Sequence, residues 1–389
     1  MAIPISYNVR NVFQRPVSTL TTAVGVGLTV MIFIGALALA AGFQAALVET
    51  GSSDNVIVLR KGADSEISSG LTRDAANILK ALPDVALAPD GHPLASGEVA
   101  VVNNMPRLGQ AGSSNVMVRG VSPEALLLRD HVRVVEGRMF APGTAELIVG
   151  KRITKRFAGV GLGQTVRFGA REFTVVGLFD ARGASFESEI WGDNAVLMPV
   201  FRGEVFQSVT FRMKDPSRFK AIKKELEADP RLGVDVHRES EFYAEQAGLL
   251  AGLLRFMGVF ITLIMAVGAV FGAMNTMYAA VGARSREIAT LLVLGFRPWA
   301  IMVSFMIESV LISLVGGAIG CALASAFING VETSTTNFTS FSEVAFAFRV
   351  TPMALLIGLV FAALMGVAGG FFPALRAARQ PLAGALRAL

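Results

Sequence analysis

Four long runs of uncharged, mostly apolar residues constrain this 389-residue chain more than any other feature. Val17–Val48, Phe256–Ala283 and Val350–Leu375 hold no charged side chain, and Pro298–Val331 holds a single one, Glu308. About 20 consecutive apolar residues suffice for a helix to cross a bilayer core, so each run is long enough to span one. Only 17% of the residues are charged, against roughly 25% in a typical soluble domain. The expected fold class is an α-helical membrane protein with four transmembrane helices. A large extracytoplasmic α/β domain lies between the first and second helices.

The first run is preceded by Arg10 and Arg15 and contains "ALALAA" at 36–41, which offers signal-peptidase-like sites. It is much longer than the roughly 7–15 apolar residues of a signal peptide, so it is read as a retained span. Its 32 residues would make about 48 Å of helix at about 1.5 Å per residue, more than the roughly 30 Å hydrocarbon core. The excess predicts a stalk. "SEFYAEQAGLLAGLLRF" (240–256) predicts the same for the second span. Residues 1–16 read as a cytoplasmic interfacial helix, with Ile5, Val9, Val12 and Phe13 toward lipid.

Charge placement sets the orientation. Residues 42–247 carry 25 basic and 26 acidic side chains, whereas the rest of the chain carries ten basic and four acidic. The net charge of +5 therefore belongs to the ends and loops of the spans and is no sign of a nucleic-acid binder. Arg10, Arg15, Arg284, Arg286, Arg297, Arg376, Arg379 and Arg387 collect on one side, which the positive-inside rule makes cytoplasmic. Both termini are expected there, with residues 49–239 outside. Segment 240–283 is then stalk and second span, 284–297 a cytoplasmic helix, 298–331 the third span, 332–349 a short external loop, 350–375 the fourth span and 376–389 a tail.

The external segment predicts two separated β-α-β units. "NVIVL" (55–59), "TRDAANILKAL" (72–82, Thr72 capping) and "GEVAVV" (97–102) form the first. "VFQSVTFRM" (205–213), "SRFKAIKKELEA" (217–228, Ser217 capping) and "GVDVH" (233–237) form the second. Together they suggest a split ferredoxin-like subdomain. Residues 112–200 read as a mainly β insertion, with "NVMVRGV", "ELIVG", "QTVRF", "EFTVVGLF" and "AVLMPV" as strand or turn signals.

Catalytic chemistry finds no support. There is no G-x-x-x-x-G-K-[ST], H-E-x-x-H or G-x-S-x-G, and His92, His131 and His237 lack metal-ligand spacing. No catalytic residue, metal or cofactor is assigned to this chain. Cys321 is a lone packing residue. Gly268/Gly272, Gly316/Gly320 and Gly366/Gly370 form three G-x-x-x-G pairs that could bring helices close. Glu308 is an acid inside a span, a functional hypothesis by default, read as a structural or coupling contact because the other runs hold no ionisable partner.

The segment "SREIATLLVLGFRPWAIMVSFMIESVLISLVGGAIG" (285–320) resembles the R-x-x-E-I … L-G … E-s … G-G-x-x-G signature of MacB/FtsX-type permeases of ABC transporters. "NVRNVFQRPVST" (8–19), "FFPALRAARQPLAGALRAL" (371–389) and the "GRMF … ELIVGKRI … GVGLGQTVRF … FTVVGLF" pattern look similar to other parts of that family, the last to its MacB-type core domain. The resemblance implies a dimeric permease of the bacterial inner membrane, homo- or heteromeric, that binds two copies of a separate ATPase carrying ATP and magnesium. It also implies mechanotransmission: ATP binding moves the external domain, with efflux or lipid or lipoprotein export as the work and a periplasmic adaptor or carrier as a further partner. An FtsX-like regulator of an external hydrolase is the alternative. The segment between spans two and three would be the ATPase-coupling helix. Its residues Arg284, Arg286, Glu287, Ile288, Leu291, Leu292 and Gly295 are the expected coupling set. On a helix, Ile288, Leu291 and Leu292 share a face and form an apolar knob, Arg284 and Glu287 can pair, and Gly295 can end the helix. Anchoring by positive charge alone would explain the arginines but not Glu287 or the apolar face.

Overall fold

A computed structural model describes residues 16–109, 111–201 and 203–380. The interfacial helix read over residues 3–15 and the tail beyond residue 380 lie outside the described residues. In chain order, α1 (Pro16–Val48) is followed by β1 (Asn55–Arg60), β2 (Leu71–Thr72), α2 (Arg73–Lys80), β3 (Ala95–Pro106) and β4 (Ser113–Val121). Then come α3 (Ala125–Leu128), β5 (Arg133–Gly137), β6 (Glu146–Gly150), α4 (Lys151–Thr154), β7 (Thr165–Phe168), β8 (Arg171–Asp180) and β9 (Glu189–Asp193). Next are α5 (Asn194–Phe201), β10 (Val205–Phe206), β11 (Ser208–Arg212), α6 (Phe219–Ala228) and β12 (Val234–Arg238). The chain ends in α7 (Glu239–Ala283), α8 (Ser285–Val293), α9 (Pro298–Phe327), β13 (Glu332–Thr336), β14 (Glu343–Ala347) and α10 (Pro352–Ala378).

These elements form two compact units. Gly42–Ala251 and Glu332–Ala347 make an α/β unit; among the described residues, Pro16–Ala41, Gly252–Val331 and Phe348–Gln380 make a helical unit. The helices α1 and α7 each run unbroken from one unit into the other.

In the α/β unit one mixed sheet has the strand order β12-β1-β11-β3-β4-β9-β6-β8-β5, with β7 paired to β8. The first four strands are antiparallel and, with α2 and α6, give the ferredoxin-like order. Alternate strand residues and the apolar stripes of the two helices close one core, with Val58, Leu79, Phe211, Ile222 and Val236 inside it. The remaining strands form the inserted β-rich half, cored by Val118, Phe157, Phe168, Phe173 and Ile190. Long β3 serves both halves: Ala95–Glu98 pair with β11 and Val99–Pro106 with β4.

Three local expectations are corrected. "AVLMPV" is not a strand but part of α5, because the Asp193 carboxylate accepts the Ala195 N–H at 2.8 Å and starts a helical turn. Ser217 does not cap α6; Asp215 accepts the Ser217 N–H at 2.9 Å and caps a 3-10 turn, after which α6 starts at Phe219. The loop between α9 and α10 is a hairpin, β13 on β14, that belongs to the α/β unit.

Among the described residues four helices, α1, α7, α9 and α10, are long and apolar enough to cross a membrane. Small residues set their spacing. A Cβ at Gly316 would lie 2.5 Å from the Ala23 carbonyl oxygen, and one at Gly320 would collide with that of Gly27, so α9 and α1 touch backbone to backbone. Gly366 and Gly370 face Ser313 and Ser309 of α9, and Ser309 donates to the Gly366 carbonyl at 2.7 Å. The third pair differs. Among the described residues nothing lies within 4 Å of a Cβ built at Gly268 or Gly272. These two glycines instead border an open groove shared with Thr21, Gly25, Thr29 and Thr276.

Candidate coupling site

The charged segment between the second and third spans folds as a helix with defined ends. Arg284 breaks the helical path of α7 with φ −108° and ψ 17°, and α8 begins at the next residue. At the other end Gly295 takes φ +87°. Its N–H donates to Leu292 O and that of Phe296 to Leu291 O, each at 3.1 Å, which is the Schellman termination that favours glycine. Pro298 then opens α9 at a position where its missing N–H costs nothing.

Arg284 points inward and is 5% exposed. Its Nη1 donates to Glu308 Oε2 at 2.8 Å, its Nε lies 4.0 Å from Glu287 Oε2, and its guanidinium sits 6.0 Å from the Phe305 ring centre. Glu308 is equally buried on α9. Both residues stand out in the sequence, but the pairing does not, since it joins positions 24 apart on separate helices.

The apolar face of α8 requires a correction. Ile288 is 2% exposed and packs with Met277, Val281, Ile301, Phe305 and Ala377, while Leu291 and Leu292 lean on the same cluster. That face holds α8 to its own chain, so it is not the outward knob expected. Outward are Arg286, Glu287, Val293 and Leu294, the last two 62% and 67% exposed. Helical periodicity identified one apolar stripe correctly, but the spanning helices supplied an inward partner that periodicity cannot reveal.

The α/β unit holds a second charged constellation that no sequence spacing indicates. Four buried carboxylates share two buried guanidiniums. Arg119 binds Glu189 at 2.7 Å, Glu66 at 2.7 Å and Glu98 at 2.8 Å; Arg129 binds Glu98 at 2.7 Å and Glu239 at 3.3 Å. Trp191 donates to Glu189 and Ser208 to Glu66, at 2.7 and 2.8 Å, and Arg129 lies 4.7 Å over the Phe186 ring. Burial pushes the Glu189 carboxyl above the usual carboxylate range, with the Glu66 charge adding to it, against the opposing pull of Arg119. At Glu66 burial acts the same way, but the charge and hydrogen bonds of Arg119 outweigh it and hold that carboxyl low. His92, His131 and His237 are scattered, and the described residues contain no group able to hold a metal ion.

Comparison with known proteins follows this geometry. Residues 19–229, more than half of the chain, match the MacB-like periplasmic core domain, and residues 259–382 match the FtsX-like permease C-terminal domain. The chain belongs to the MacB/FtsX-type ABC permease family. This permease is 29% identical over 292 residues to the macrolide export ATP-binding/permease protein MacB 1 of Aeromonas hydrophila, covering 69% of this chain and 43% of that one. It is 28% identical over 267 residues to the pyoverdine export ATP-binding/permease protein PvdT of Pseudomonas entomophila, covering 63% and 39%. The permease thus spans less than half the length of these relatives. Among solved structures, the periplasmic region of MacB from Actinobacillus actinomycetemcomitans matches 50% of the permease and 92% of that chain, at 13% identity and TM-score 0.37. The extracellular domain of the transporter YknZ matches 47% and 99%, at 16% identity and TM-score 0.35. The permease is a multi-pass membrane protein.

Proposed function

We propose that this chain is the membrane subunit of an ABC-type export complex. A separate ATPase docks on residues 284–297, and its ATP cycle moves the α/β unit outside the membrane. The observation that carries this reading is the division of α8 into two faces. Arg284 and Ile288 anchor the helix inward, and Arg286, Glu287, Val293 and Leu294 are left as a compact mixed surface. An apolar pair beside charges suits a helix seated in a partner's groove.

In this reading the side bearing α8 and both termini is cytoplasmic, and ATP with magnesium binds to the two ATPase copies. The open stripe at Gly268 and Gly272 faces a second permease, identical or homologous. The names of relatives that export macrolides or pyoverdine support export, with lipid or lipoprotein as another cargo class and an adaptor or carrier engaging the α/β unit. The test is purification of the full chain with its ATPase in lipid nanodiscs. Co-purification is expected, as is loss of coupled ATP hydrolysis on Glu287→Lys. A chain that captures no ATPase, or a Glu287→Lys complex that hydrolyses and exports normally, would remove this reading.

A further inference from the structure

The α9–α10 connection is the part of the chain whose placement is least expected. Its hairpin is fixed in the α/β unit by a set of polar contacts around the buried Glu343. The Glu343 carboxylate, 5% exposed as a residue, accepts from Ser334 Oγ at 2.6 Å, from Arg156 at 3.1 Å and from Arg107. The Ala345 N–H donates to Ser188 Oγ at 2.9 Å, and Arg152 donates to the Ala345 carbonyl at 3.0 Å. Asn115 reaches the Phe341 carbonyl at 3.0 Å, and Phe346 packs edge-on against Phe43 at 5.5 Å. A loop needed only to join two helices would require none of this.

The helix feeding the hairpin is equally constrained at its other end. There α9 holds α8 through Glu308 and Arg284, a buried pair whose members are costly to separate. Between the two ends α9 is one unbroken helix, Pro298–Phe327. Only Ile328–Val331 lie between it and β13, and the Gly330 N–H and Phe348 N–H are bonded to Phe348 O and Val331 O at 2.9 and 3.0 Å. Such a path has little slack.

We propose that α9 is a transmission element in its own right: displacement of α8 passes through Arg284–Glu308 into α9, and from α9 through the Glu343 knot into the α/β unit. It acts beside α1 and α7, the two helices that enter that unit directly. This rests on the ATP-driven reading above, and it makes Glu343 and Glu308 positioning residues of one path.

The experiment uses the full permease–ATPase complex in nanodiscs and compares hydrogen–deuterium exchange with and without trapped ATP. In the unaltered complex, nucleotide-dependent differences are expected both in α8 and in the α/β unit. Glu343→Ala should keep ATP hydrolysis and the α8 difference while the α/β difference falls several-fold. Combining it with Glu308→Gln should cost no more than the worse single change, because both interrupt one path. A short thiol crosslink between Asn115→Cys and Phe341→Cys, in a Cys321→Ser background, should restore the response of Glu343→Ala, separating release of the hairpin from misfolding. A full α/β response in Glu343→Ala, additive losses in the double variant, or failure of the crosslink to rescue would each overturn this proposal alone. An unaltered complex without any nucleotide-dependent α/β difference would overturn the parent reading and this one with it.

Discussion

Arg284 and Glu308 meet at 2.8 Å between the short helix α8 and the spanning helix α9, with side chains only 6% and 7% exposed. Removing one member of a buried pair strands the other charge, at a cost of about 3–5 kcal/mol, whereas replacing both by apolar groups is often neutral. Glu308→Leu alone should therefore strongly lower the thermal unfolding midpoint in detergent, and adding Arg284→Met should recover most of the loss. Equal losses in the single and double variants would show that the pair contributes little.

The surface of α8 can be separated from its anchor by two aspartate substitutions. Ile288→Asp puts a charge into an apolar cluster and should destabilise the helical unit. Leu294→Asp, on a residue 67% exposed, should leave the melting midpoint nearly unchanged while sharply weakening ATPase capture. Pull-down alongside thermal unfolding checks both, and tight capture by Leu294→Asp would place the docking surface elsewhere.

The hairpin should be acid-sensitive. Burial raises the Glu343 carboxyl, but hydrogen bonds from Ser334, Ser114 and Arg156 and the charge of Arg107 outweigh it and hold it below the usual range. A carboxyl lowered on folding contributes stability that is present above its unfolded pKa, about 4.3 for glutamate, and is lost as pH falls through the lower folded value. Amide protection of residues 332–347 should thus persist from neutral pH down to the unfolded pKa and fade below it. Glu343→Gln should remove that pH dependence.

Glu189 should show the opposite sign. Its carboxyl is raised by burial, so its favourable contribution is complete below the unfolded pKa and is lost as pH rises through the folded one. Glu189→Gln is expected to flatten the decline of stability with rising pH. Arg119→Met, which strands Glu66 and Glu189 and leaves Glu98 to Arg129 alone, should cost about 3–5 kcal/mol by the same logic as other broken buried pairs. Urea unfolding across pH distinguishes the two variants.

The glycine pairs provide a spatial control. Gly320→Val drives a side chain into the backbone of α1 and should impair folding, whereas Gly268→Val meets open space within the chain. The latter should leave the protomer intact and shift any dimer toward monomer, as read by native mass spectrometry. Gly268→Val with unchanged association would assign the second copy to another face.

Much of this was legible in the residues. Charge-free runs identify four spans because a bilayer tolerates little else, and the two β-α-β patterns specify the ferredoxin-like half through local periodicity. Less local features were hidden. The strand-like composition of residues 195–200 conceals a helix started by Asp193, and β13–β14 look like an ordinary loop because their partners, Arg107, Arg152 and Arg156, lie far away in sequence. The Arg119–Arg129 cluster draws on elements from residue 66 to residue 239, and no spacing rule reaches that far. At α8 the apolar stripe was visible, but its inward direction depended on Ile301, Phe305 and Ala377.

Strand β3 gives the α/β unit an unusual economy. In a ferredoxin-like sheet on its own, the strand that pairs with β11 would be an edge, with a row of unsatisfied backbone groups open to other chains. Here the same strand runs on past the segment that pairs with β11, and its continuation Val99–Pro106 pairs with β4. One strand thus joins two modules into a single sheet, with β12 and β5 at the ends of the strand order and β7 paired to β8 beside it. The inserted half cannot be trimmed away to leave a well-behaved smaller domain, because Val99–Pro106 would lose its partner β4 and leave its backbone groups open. Any attempt to dissect the unit into its halves should give a sticky, aggregation-prone remnant.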